Sequence, residues 1–171
     1  LEGSGLPKRS AGLLLFRHTG GGIEVMLAHP GGPFWARKDE GAWSIPKGEY
    51  EDGEEPLAAA LREFAEETGC AAPDGPILPL GEVTQSRAKT VTAYAVEADF
   101  DPERLSPGTT EIEWPPRSGQ RMPIPEIDRV AWFAPGEARA KILPGQAALL
   151  DRLTDALSRE PGRPPVPRPA P

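Results

Sequence analysis

One stretch constrains the fold more than any other: "GEYEDGEEPLAAALREFAEETGC", Gly48 to Cys70. It carries seven Glu and one Asp against a single Arg, yet its middle has the marks of a helix. Pro56 suits a first helical position and Gly69 the residue just past the end. At 100° per residue, Leu57, Ala60, Leu61, Phe64 and Thr68 fall on one stripe that must face a core. Glu63, Glu66 and Glu67 stand at i, i+3 and i+4 on a neighbouring face, so their carboxylates can converge. Ala59, one turn before Glu63 on that side, is expected to leave room for an approaching group. Acidic residues at the helix start complement its dipole.

Charged helix faces are usually just solvated. Like-charge pairs at i, i+4 cost only about 0.2–0.5 kcal/mol each, and Arg62, four residues before Glu66, offsets part of that. Convergence alone therefore does not require a ligand. If one is bound, a donor set of oxygens without His or Cys favours Mg²⁺ or Mn²⁺ over zinc.

The spacing across the whole segment says more. Gly48 is followed after five residues by Glu54, and after seven more by Arg62-Glu63-Phe64-Ala65-Glu66-Glu67-Thr68-Gly69-Cys70. This resembles the box of the Nudix hydrolases at every specified position, with Phe64 and Cys70 in its two apolar slots. The resemblance implies an α/β fold, an α/β/α sandwich with a mixed β-sheet. It also implies Mg²⁺-dependent hydrolysis of a pyrophosphate bond in a nucleoside diphosphate linked to another group. By the same resemblance Glu66 and Glu67 are metal ligands, and Glu63 binds metal or activates water. Arg62 orients Glu63, Glu54 supports the metal shell, and Gly48 presents its carbonyl. The family often adds an acidic ligand from beyond the sheet. Glu126 is the candidate, with Glu111 and Glu113 as alternatives and an ordinary exposed Glu as the bland reading.

Elsewhere "AGLLLFR" (11–17) and "IEVMLAH" (23–29) flank "GGG" and read as a hairpin. "WSIP" (43–46) reads as a short strand, 77–83, 89–100 and 129–134 as longer ones, and 135–142 and 145–158 as helices. Residues 101–127 form a long proline-rich loop, expected to be a lid carrying Trp114, Arg117 and Arg121. The plan is a start at 1–10 outside the fold, one domain at 11–158, and a proline-rich mobile tail at 159–171.

Substrate contacts are less specific. Lys47, Arg37 and Lys89 could meet phosphates, and Trp35 could stack a base, a contact worth roughly 1–3 kcal/mol. Trp43 reads rather as core, and His18 and His29 as structural or exposed. A net charge of −7 argues against a nucleic-acid polymer and leaves a nucleotide or polyphosphate small molecule as partner. One cysteine, Cys70, suits a reducing, cytoplasmic setting. No apolar run is long enough to span a membrane, and a homodimer is compatible with the pattern. A Nudix-fold module that binds a nucleotide without cleaving it is the alternative. Such relatives usually lose box carboxylates, and all are kept here.

Overall fold

Five residues at the centre of the first strand, Ala11 and Leu13 to Phe16, have almost no solvent exposure. A strand buried on both faces must lie inside a sheet covered on both sides. The computed structural model describes residues 8–159 and shows that arrangement. Strands β1 (Lys8–Thr19) and β2 (Gly22–Pro30) form the expected hairpin about Gly20 and Gly21. Then come β3 (Lys47–Glu49), helix α1 (Pro56–Thr68), and the hairpin of β4 (Ile77–Ser86) and β5 (Lys89–Glu97). A second hairpin, β6 (Thr109–Glu113) with β7 (Arg121–Pro125), precedes β8 (Ile127–Phe133), α2 (Pro135–Lys141) and α3 (Ala148–Arg159).

The main sheet runs β4-β5-β1-β2-β8, with β3 also paired to β1. The pairing of β1 with β5 is parallel and the rest antiparallel, so the sheet is mixed. On one face Ala59, Ala60 and Phe64 of α1 pack on Leu13, Leu15, Met26 and Val130. On the other, Leu149, Leu150, Leu153 and Leu157 of α3 and Ala138 of α2 pack with Leu14, Phe16, Val25 and Val91. This is the α/β/α sandwich that the resemblance implies.

Several expectations need correction. Residues 8–10 are not outside the fold: they open β1, and Arg9 pairs with Asp52. The short strand expected at 43–46 lies at 47–49, and 43–44 make only isolated bridges to Ala28 and Ile142. Ala59 does not leave a space beside the carboxylates, because it is fully buried against the sheet. No acidic residue stands in the first turn of α1, and Glu55 at its N-cap makes no capping bond. Residues 101–127 are not a plain loop but a 3₁₀ turn (Pro102–Arg104) and the β6–β7 hairpin. The tail lies outside the described residues, apart from Arg159 at the end of α3. Among the described residues no helix is long and apolar enough to cross a membrane.

Candidate active site

Helix α1 ends where Gly69 takes a left-handed φ of 73° and donates its N–H to the Ala65 carbonyl. That stop sets Glu66 and Glu67 in the last turn, beside β3. The Lys47 backbone N–H donates to Glu67 Oε1 at 3.0 Å, binding the helix end to the strand. Between them opens a pocket of about 140 Å³. Its walls are Ala28 and Pro30 at the end of β2, Ser44, Ile45 and Lys47, Glu67 of α1, and Glu126 with Ile127 at the start of β8. The sequence candidates Glu67, Lys47 and Glu126 thus meet although they come from three separate segments.

A second group adjoins it. Arg62 donates to both oxygens of Glu54, from Nε at 2.8 Å and Nη2 at 3.0 Å. Its Nη1 donates to Glu63 at 2.7 Å and to Glu66 at 3.2 Å. One guanidinium therefore answers three carboxylates, and a planar fork does this where an ammonium could not. These partners, Glu54 first, raise the Arg62 pKa further, and Arg62 in turn holds Glu54 below its ordinary value. Glu63 is the most sheltered member, with its side chain 12% exposed.

Gly48 faces that sheltered carboxylate. A Cβ at residue 48 would collide with the Glu63 side chain, so glycine here is a matter of space. Gly48→Ala is expected to displace Glu63 and lower kcat by about tenfold or more without changing the circular dichroism spectrum. A kcat close to wild type would show that this close approach has no catalytic part.

The electrostatics of the pocket are those of crowded acids. Burial pushes the Glu67 carboxyl up to about 8, with Glu126 and Glu63 adding to the rise and the Lys47 N–H and ammonium opposing it. Glu126 is exposed as a residue, yet its carboxyl is also raised, first by lost solvation and then by Glu63 and Glu66. Burial lowers the Lys47 ammonium, and Lys89 adds to this against the pull of Glu67. Oxygen donors that raise one another's pKa are what a hard divalent cation relieves, so the chemistry of this set fits one. As the side chains stand, no three His, Cys, Asp or Glu among the described residues gather closely enough to hold a metal ion. Glu63 and Glu66 are turned onto Arg62 instead.

Other candidates fall elsewhere. Trp35 is half-buried against the α3-side core and Arg37 is exposed; neither lines the pocket. Lys89 is exposed at the start of β5. Trp43 is core, as expected, and donates to Asp39. Arg121 lies 3.8 Å from Glu111 on the hairpin, away from the pocket.

Two supporting residues escape a reading of the sequence. Buried Gln146 accepts from the Ile45 N–H at 3.1 Å and donates to Ser44 and Gln85, fixing one pocket wall. Buried His29 meets the Lys38 carbonyl at 2.6 Å and Asp128 at 3.0 Å, linking the loop after β2 to β8. Both partners lie some hundred residues away, and no local pattern signals them.

Comparison with known proteins agrees with this geometry. The mRNA-decapping protein g5R of African swine fever virus is 46% identical over 52 residues, 30% of this chain and 21% of that protein. An RNA pyrophosphohydrolase of Novosphingobium aromaticivorans is 60% identical over 35 residues, 20% and 22% of the two chains. The matches thus span about a fifth of these curated relatives. In fold, the chain resembles the C. elegans Ap4A hydrolase in a binary complex, with a TM-score of 0.59, 19% identity, and 88% and 98% of the chains covered. Residues 6–153 match the profile of the NUDIX domain, which spans the sheet, α1 and the pocket, and the chain belongs to that family.

Proposed function

We propose that the chain is a Mg²⁺-dependent pyrophosphohydrolase of nucleotides, cleaving the pyrophosphate bond of a nucleoside diphosphate linked to another group. The observation that carries this reading is the meeting of Glu67, Glu126 and Lys47 around one pocket, beside the complete carboxylate set of α1. The relative named an RNA pyrophosphohydrolase supports the reaction class.

Glu66, Glu67, Glu126 and the Gly48 carbonyl would hold the cation, with Mn²⁺ as a substitute. When bound, a divalent ion neutralises charge developing on the phosphoryl oxygens and lowers the pKa of water. Glu63, sheltered beside Gly48, takes the proton as a water oxygen attacks phosphorus and the bridging P–O bond breaks. Arg62 keeps Glu63 aimed and ionised. Glu54 acts through Arg62, a change from the role the resemblance implied. Lys47 lies at the pocket wall, where it meets a phosphate oxygen. With net charge −7, the substrates are small nucleotides rather than polymers, and the site of action is the cytoplasm.

A panel of nucleoside triphosphates, nucleotide sugars and dinucleoside polyphosphates tests this, with products identified by mass. Hydrolysis of at least one class with Mg²⁺, and none in EDTA, is expected. Turnover of none, with nucleotide binding intact, would make the chain a binding module.

A further inference from the structure

The far end of the sheet holds a charge pattern that the fold does not need. In the parallel pairing of β1 with β5, Lys8 lies directly beside Lys89. Like charges side by side on neighbouring strands are destabilising, and this chain has an acidic excess from which partners could have been drawn.

Side-chain alternation places both lysines on one face. Leu14, Phe16, Val91, Ala93 and Ala95 belong to the core under α3. Lys8 shares the parity of Leu14 in β1, and Lys89 that of Val91 in β5. Lys47 joins them: a Cβ on Gly12 would lie 2.7 Å from the Lys47 Cβ and 2.8 Å from Ile45 Cδ1, so Lys47 stands over β1 on that same face. Gly12 pairs with Lys47 and lies four residues along β1 from Lys8, about 13 Å in an extended strand. Glu49 at 3.8 Å from Lys8 is the acid paired within this row. Lys89 has no hydrogen-bonded or ion-paired side chain among the described residues.

We propose that Lys47, Lys89 and Lys8 form a cationic track that leaves the pocket along the α3 side of the sheet and takes the distal phosphates of a polyphosphate chain. The substrate then carries phosphates beyond the two that flank the cleaved bond. This rests on the hydrolase reading above and deepens it. Lys47 belongs to both pocket and track, so a chain whose scissile bond lies by Glu67 continues onto the track without a break.

Two measurements on the full chain test it. The first is independent of turnover: inorganic tripolyphosphate in EDTA should raise the melting temperature of wild type well above the effect of orthophosphate. That difference should vanish in Lys8→Gln/Lys89→Gln. Both residues are exposed, and removal of a like-charge pair should leave the variant at least as stable without ligand. The second compares KM across dinucleoside diphosphate, triphosphate and pentaphosphate substrates. Wild type should favour the longest over the shortest by about fivefold, the scale of two exposed ion pairs, and the double variant should lose that ratio. An equal tripolyphosphate shift in both proteins would overturn the track. A KM penalty seen with a 5′-triphosphorylated oligonucleotide and not with the dinucleoside series would assign the face to an RNA backbone instead. If wild type hydrolyses nothing yet shows the tripolyphosphate difference, the hydrolase reading fails and the anion-binding track stands.

Discussion

Glu67→Gln is expected to lower turnover by two orders of magnitude or more while making the metal-free protein more stable at alkaline pH. The loss follows from removing a charged donor from the site that must stabilise phosphoryl charge, where one lost electrostatic partner costs about 10²–10³-fold. The gain follows from the cost of ionising Glu67. Its carboxyl is raised from an ordinary 4.5 to about 8, so the folded state binds a proton more readily than the unfolded state. The stability tied to that proton is fully present below about pH 4.5 and is lost as pH rises through about 8. Glutamine cannot ionise, so the stabilisation by Glu67→Gln should be near zero at pH 4 and largest above pH 8, read by thermal melts in EDTA. Mg²⁺ should raise the melting temperature of wild type at pH 8 and act less on the variant. A near-normal kcat under saturating Mg²⁺ would remove Glu67 from the site. A pH-independent stability difference would remove its crowding.

Arg62→Ala should be the second large effect, with two readouts moving in opposite directions. Without the guanidinium, Glu54, Glu63 and Glu66 lose a shared counter-charge. Glu63 loses its aim, and kcat should fall on the order of 10²-fold, as expected for a misplaced catalytic group. Arg62 also competes with any cation for Glu63 and Glu66, so half-saturation by Mg²⁺ should shift to lower concentration. Arg62→Lys should recover little kcat, because one ammonium cannot make the four bonds of the fork. A simple structural role would lower stability while leaving both the kcat per folded molecule and the Mg²⁺ midpoint unchanged; that result would sink the positioning role.

Much of this arrangement is legible in the chain because its signals are local. Pro56 and Gly69 bound α1 within one segment, and alternation reveals β1, β2, β5 and β8. The face shared by Glu63, Glu66 and Glu67 is a consequence of helical periodicity. What escapes reading depends on distant partners. Ala59 sits on the boundary between the buried and charged sides of α1, and only the sheet decides which side claims it. The shift of the short strand to Lys47–Glu49 is set by pairing with Ser10 to Gly12. The β6–β7 hairpin is obscured by Pro123 and Pro125 and by a strand face with little to bury. The bond between Arg62 and Glu54 crosses from a helix to the loop before it, so no helical spacing predicts it. Glu126 could be proposed from its place before "RVAWF", whereas Gln146 belongs to a turn with no chemical pattern of its own.

The connectivity also imposes an order in time on a chain made from its N-terminus. The parallel pairing of β1 waits for β5, which brings Lys8 beside Lys89. By then every acid of α1 has left the ribosome. The rest of the pocket has not: Glu126 and Ile127 come later, and the Gln146 that secures Ile45 later still. A nascent chain that stops after β5 therefore holds its acidic helix beside an open wall. Its reactive groups come early and their enclosure comes last, so synthesis must pass Gln146 before these acids can belong to a closed site.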